Sequence, residues 1–130
     1  MPEFDDSVIA AAAPEEVWKL LYDPSRFPQW WAGVGSVDSR TDAGFTLYPE
    51  GYPDFPMPQL VSSDPAGRTV TISCLVSDLR FEWRLRPVAG GTEISAHVVI
   101  PPAEAHRLAA QTATISASLH RLATLAAESE

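Results

Sequence analysis

The spacing of apolar positions changes period along the chain, and each change marks a different kind of element. Val8, Ile9 and Ala10 form a short apolar run that predicts a first strand, and it gives way to Pro14 followed by Glu15 and Glu16. Proline at a first helical position removes no N–H that the helix needs, and carboxylates there oppose the positive end of the helix dipole. A helix therefore starts near residue 14, with Val17, Leu20 and Leu21 on one face. Asp23-Pro24 stops it and caps a second, shorter helix leading to Phe27, Trp30 and Trp31.

Beyond the tryptophans the pattern becomes that of strands between turn signals. Residues 33–40 predict one strand, Asp42-Ala43-Gly44 a turn, and residues 45–48 the next strand. Residues 49–58 hold four of the twelve prolines. Proline cannot donate to a ladder, so this segment reads as a stiff loop or an edge carrying Tyr52, Phe55 and Met57. A turn at residues 64–67 leads to a strand over 68–76, and further strands cover 78–87 and 92–100, the last opened by Gly90-Gly91. Alternation turns Leu79, Phe81, Trp83 and Leu85 inward and Arg80, Glu82, Arg84 and Arg86 toward water. By the same rule Val70, Ile72, Cys74 and Val76 face inward, as do Ile94, Ala96, Val98 and Ile100. From Pro101-Pro102 onward the period lengthens. Residues 103–128 lack Gly and Pro and place Leu108, Thr112, Ile115, Leu119, Leu122 and Ala126 at steps of three and four. That is one amphipathic helix of about 39 Å at 1.5 Å per residue.

Such a helix must lie across an apolar surface, which the preceding strands supply. The 130 residues, 45% apolar and 20% charged, suit a single domain over 1–130 with a real core. A net charge of −8 repels phosphate backbones, so nucleic acid is not an expected partner. No apolar run approaches the ~20 residues of a membrane span, and the first six residues lack the positive start of a signal peptide, which makes the cytoplasm the default location. The single cysteine, Cys74, excludes an internal disulfide and offers no zinc cluster. No cofactor or metal is expected.

Several short motifs point to a known family. Ala13-Pro14, Val17-Trp18, Asp23-Pro24, Phe27-Pro28 and Trp30-Trp31 resemble the opening of the START/Bet v 1-like superfamily, also called SRPBCC or polyketide cyclase/dehydratase-like proteins. Residues 79–85, followed by Gly90-Gly91-Thr92-Glu93-Ile94, are similar to that family's late hairpin. The resemblance implies an α+β helix-grip fold: a curved antiparallel sheet wrapped around a long C-terminal helix, with two short helices after the first strand. It also implies an internal cavity between sheet and helix. The superfamily uses that cavity for carriers, receptors, cyclases and proteins that assist chaperones, so fold does not choose among them.

The last helix is lined with small side chains. Ala105, Ala109, Thr112, Ser116 and Ala123 interrupt its Leu and Ile stripe and leave volume above a concave sheet, unless the aromatics of the sheet pack down onto them. With the implied cavity, the expected ligand-binding residues are Trp31, Tyr48, Phe55 and Met57 near the rim and Ile72, Cys74, Phe81, Trp83, Ile94 and Ala96 on the sheet. Leu108, Thr112, Ile115 and Ser116 complete the set from the helix. The hydroxyls of Thr112 and Ser116 either reach a ligand or bond back to carbonyls four residues earlier. Tyr48 supplies a phenol at the rim or serves as a loop anchor. Cys74 reads as a small hydrophobe with no basic neighbour to favour a thiolate.

No catalytic residue stands out. His97 faces outward on its strand, His106 lies near the cavity mouth and His120 well along the helix, and none has a carboxylate or serine at a spacing that suggests a relay. The expected function is binding of a small hydrophobic or polycyclic molecule, lipid or polyketide-like, by a monomer or homodimer. The alternatives are a polyketide cyclase or dehydratase-type enzyme acting in the same cavity and a chaperone-activator-like interaction module.

Overall fold

The structure, a computed structural model, describes residues 2–38 and 44–128. Its strands are β1 (Glu3–Ala10), β2 (Val34–Asp38), β3 (Gly44–Pro49), β4 (Met57–Asp64), β5 (Thr69–Cys74), β6 (Arg80–Val88) and β7 (Gly91–Val99). They form one antiparallel sheet in the order β1-β7-β6-β5-β4-β3-β2. Helix α1 (Pro14–Leu21) and helix α2 (Phe27–Trp30) follow β1, and α3 (Leu108–Glu128) closes the chain. This is the α+β helix-grip arrangement, with a curved sheet, a long C-terminal helix and short helices after the first strand.

The local chemistry explains the entry helices. Pro14 is the first residue of α1, and Asp23 accepts a hydrogen bond from the Ser25 N–H at 3.1 Å to cap the 3-10 turn Pro24–Arg26 that leads into α2. The Trp30 indole donates to the Leu20 carbonyl at 2.8 Å, locking α2 against α1. Trp30 is fully buried, stacked on Trp31 at 5.6 Å and met edge-on by Trp83 at 5.1 Å. Trp31 meets Phe81 edge-on at 5.0 Å, so the wedge of tryptophans stands on β6.

The start of β7 is set by a close approach. A Cβ at Gly91 would fall on the Ala10 carbonyl oxygen, and the buried Thr92 hydroxyl donates to the Ala12 carbonyl at 2.8 Å. Only glycine lets the two backbones meet there.

Four expectations are corrected. The proline-rich segment is a loop only through Pro56; Met57 opens β4, which lies inside the sheet between β3 and β5. Pro58 is tolerated because it sits near the strand's start, where a missing N–H costs least, and its carbonyl still accepts from the Leu75 N–H at 3.0 Å. Val76 faces solvent, since β5 ends at Cys74 and the chain turns through Asp78 at φ +60°. The last helix does not begin at residue 103. Pro102–Arg107 is a 3-10 segment broken at Glu104, and α3 proper is 21 residues, about 32 Å. The predicted strand over 33–40 is observed as Val34–Asp38; its last two residues and most of the turn at 42–44 lie outside the described residues.

The fourth correction concerns the phase of α3. Ile115, Leu119, Leu122 and Ala126 are buried as the stripe predicts, but Leu108 and Thr112 are exposed. Helix α3 packs mainly on β1, with α1 and α2 beside it and β7 next to β1, and its first turns extend beyond that support. At about 100° per residue, Arg107, Gln111, Thr114 and Ser118 form one flank of the buried stripe and Thr112 and Ser116 the other. The first flank turns inward.

These placements predict that Leu119→Ala costs about 2 to 5 kcal/mol through lost burial and a residual cavity, whereas Leu108→Ala stays within about 0.5 kcal/mol. Urea unfolding of the two variants checks the phase. Equal losses would mean that the stripe is misassigned.

Candidate functional site

Where α3 overhangs the sheet, a cavity of about 220 Å³ remains. Its apolar wall consists of Trp31, Val34, Leu47, Met57, Leu79 and Phe81, with Ala32, Gly33 and Pro49 beside them. The opposite wall is polar, made by Arg107, Gln111 and Thr114, and Gln59 of β4, Cys74 of β5 and Ser77 of the turn after β5 complete the lining.

Each wall is positioned by its element. Gly33 turns the chain out of α2 at φ +87°, and the Val34 N–H donates to the Trp31 carbonyl at 3.2 Å. The Ala32 N–H donates to the Ser118 hydroxyl at 2.9 Å, which in turn donates to the Thr114 carbonyl at 2.7 Å. Ser118 thus ties α3 to the corner that carries Trp31. Met57 and Gln59 share one face of β4 because they are two residues apart. Gln59 is buried, and its Nε2 donates to the Met57 carbonyl at 3.2 Å. Arg107 Nε donates to Glu104 Oε1 at 2.9 Å, with the arginine side chain 42% exposed.

Cys74 is buried at the end of β5, where the following turn brings donors around its sulfur. Burial pushes the thiol pKa up, but hydrogen bonds from the Ser77 side chain and backbone, the Val76 backbone and the Gln59 side chain outweigh it and hold the thiol below its ordinary value. Its burial agrees with the reading of Cys74 as a small apolar side chain, and the donors around the sulfur add to that reading. Donors within a tight turn favour a thiolate without any basic neighbour.

Among the expected ligand residues, Trp31, Met57, Cys74 and Phe81 line the cavity. Ile72, Trp83, Ile94 and Ala96 of the sheet and Ile115 of α3 do not; all five are buried in the core. Tyr48 is half-buried on the other face of β3, because its neighbour Leu47 takes the inward position. Phe55 is exposed in the loop. Leu108 is exposed, the Thr112 hydroxyl donates back to the Leu108 carbonyl at 2.7 Å, and Ser116 lies on the far flank. The polar lining residues missed by sequence, Gln59, Ser77, Arg107, Gln111 and Thr114, carried two readable signals, and the apolar Val34, Leu47 and Leu79 were missed with them. One was the two-residue step from Met57 to Gln59, and the other was the polar spacing of 107, 111 and 114.

No histidine lines the cavity. His97 sits on the outer face with Nδ1 2.7 Å from Asp5 Oδ1 and Nε2 3.9 Å from Glu3 Oε2, partners supplied by β1 across the sheet. His106 is exposed, and His120 Nδ1 lies 2.7 Å from the Ser116 carbonyl. Among the described residues no group of three His, Cys, Asp or Glu side chains could hold a metal ion, and no helix is long and apolar enough to cross a membrane.

Removing a donor from the Cys74 sulfur must raise its pKa, leaving less thiolate at neutral pH. Ser77→Ala should therefore move the pH midpoint of iodoacetamide labelling upward and slow labelling at neutral pH. An unchanged midpoint would show that the Ser77 hydroxyl does not act on the sulfur.

Solved structures share this fold at low identity. Protein XoxI from Bacillus cereus superposes with a TM-score of 0.81 at 14% identity, covering 95% of this chain and 94% of that one. The di-domain ARO/CYC BexL from the BE-7585A biosynthetic pathway gives 0.77 at 18% identity over 95% of this chain and 46% of its own. The di-domain ARO/CYC StfQ from the steffimycin biosynthetic pathway gives 0.76 at 16% identity over 97% and 50%. This chain is thus similar to about half of either di-domain protein. No curated protein matches. The family model for polyketide cyclase/dehydrase and lipid transport proteins matches residues 1–127, and the chain belongs to that family.

Proposed function

We propose that this protein binds a small ring-bearing, largely hydrophobic molecule in the cavity between α3 and the β2–β6 side of the sheet. The observation that carries the reading is the aromatic and aliphatic wall of Trp31, Leu47, Met57, Leu79 and Phe81 facing open volume. Apolar surface of this kind gains free energy when a ligand replaces water against it. The family description, which joins polyketide cyclases with lipid transport, supports the same reading. At about 220 Å³ the space falls below the ~300 to 1,000 Å³ of common ligand pockets, so one or two rings fit better than the larger polycycles.

A second reading, an enzyme of the cyclase or dehydratase kind, is favoured by one observation. The Cys74 thiol lines the cavity and is held below its ordinary pKa, which suits a proton donor or acceptor. Among the described residues the cavity lining carries no carboxylate or imidazole, and for that reason binding is the primary reading. Turnover abolished in Cys74→Ala with ligand affinity retained would promote the enzyme.

Two variants test the cavity. Thr114→Leu should fill it and weaken saturable quenching of tryptophan fluorescence by 2-naphthol by about tenfold or more, at little cost in folding, because the added side chain occupies free volume. Ser116→Leu, on the opposite flank, should leave the isotherm unchanged. If Thr114→Leu instead destabilises by about 1 to 3 kcal/mol and the parent does not bind the probe, the region is packed and the reading fails.

A further inference from the structure

The polar wall of the cavity is unequal to the apolar one in a way that specifies chemistry. Among the described residues Arg107 is the only charged one in the lining, in a chain whose net charge is −8. Among the described residues the one carboxylate that pairs with it is that of Glu104, which lies outside the lining. Its guanidinium is held in place through Nε by Glu104, at 2.9 Å, and this bond uses one of its five N–H donors. The remaining edge carries the paired donors that match a carboxylate bidentately.

Further along the same flank, Gln111 and Thr114 also face the cavity. Their side chains make no hydrogen bond among the described residues, in contrast to the hydroxyls of Thr112 and Ser118, which donate to the carbonyls of Leu108 and Thr114. Across the cavity, Gln59 is 4% exposed and spends its Nε2 on the Met57 carbonyl, which leaves its side-chain oxygen for another donor. Polar groups half enclosed in this way favour a ligand that supplies the missing partners, and they penalise one that covers them with hydrocarbon. The seven steps from Arg107 to Thr114 span about 10 Å along the helix, on the scale of a two-ring acid.

We propose that the natural ligand is a one- or two-ring aromatic acid. Its carboxylate pairs with the free edge of Arg107 at the mouth, its ring faces lie against Trp31 and Phe81, and a ring oxygen hydrogen-bonds to Gln111 or Thr114. This assignment rests on the binding role proposed above and adds to it a charge and an oxygen pattern. A saturated fatty acid would satisfy Arg107 equally but would lay its chain over Gln111 and Thr114.

The test compares four probes by calorimetry at neutral pH: 6-hydroxy-2-naphthoate, whose hydroxyl lies at the end of the rings opposite the carboxylate, 2-naphthoate, 2-naphthol and decanoate. The hydroxynaphthoate should bind roughly tenfold tighter than 2-naphthol, the scale of a charged hydrogen-bonded pair. Arg107→Gln should remove that advantage, weakening both naphthoates by far more than 2-naphthol, and Arg107→Lys should restore part of it. Thr114→Val, which keeps the shape and removes the hydroxyl, should narrow the gap between the hydroxylated and plain naphthoates. Binding of 2-naphthol with no gain for either acid overturns the aromatic-acid assignment and leaves the cavity's binding role standing. Decanoate binding tighter than both naphthoates overturns the assignment in favour of a fatty acid. Failure of all four probes overturns the binding role itself, and the assignment with it.

Discussion

Seven strands spaced about 4.8 Å apart make a sheet roughly 29 Å wide, whereas a helix with its side chains is about 10 Å across. One helix cannot cover such a face, and the rest of the structure is an answer to that shortfall. Helix α3 packs chiefly over β1 at one edge of the sheet, beside α1 and α2. The tryptophan wedge fills the middle, with Trp30 fastened to α1 by its 2.8 Å bond to the Leu20 carbonyl and Trp31 leaning on Phe81. What remains between the wedge, the inner faces of β3 to β5 and the overhanging turns of α3 is the cavity. It is a remainder of geometry, not a hollow left by small side chains on the helix.

That origin explains what could be read from the sequence. The entry helices were legible because each signal is local: Pro14 with its acidic neighbours, Asp23 before Pro24, and the tryptophans at a fixed distance beyond. The strands from residue 68 onward were legible because one face is buried and the other is wet, so alternation survives in the sequence. The cavity lining was only partly so. A hydrophobic stripe shows which line of a helix is buried, but the two flanks of that line look alike from within the helix. Thr112 and Ser116 border the stripe on one side and Gln111 and Thr114 on the other, and only the offset of α3 over the sheet decides which pair turns inward. The prolines concealed β4 for a related reason. Their cost to a strand depends on where each missing N–H would have pointed, which is a tertiary fact. The Asp5 and His97 pair was hidden by 92 residues of separation.

The Ser118 hydroxyl has a consequence for motion. It accepts from Ala32 and donates to Thr114, so the helix and the corner carrying Trp31, Gly33 and Val34 are joined by one side chain, and those are two of the walls around the cavity. Neither wall can withdraw without exposing the Ala32 amide to water. Hydrogen exchange at that single amide then measures how often the cavity opens, because its protection is lost only in the open form. A guest that touches both walls slows the exchange of this proton, and a guest that rests on one wall alone does not, so one amide reports which faces a ligand engages.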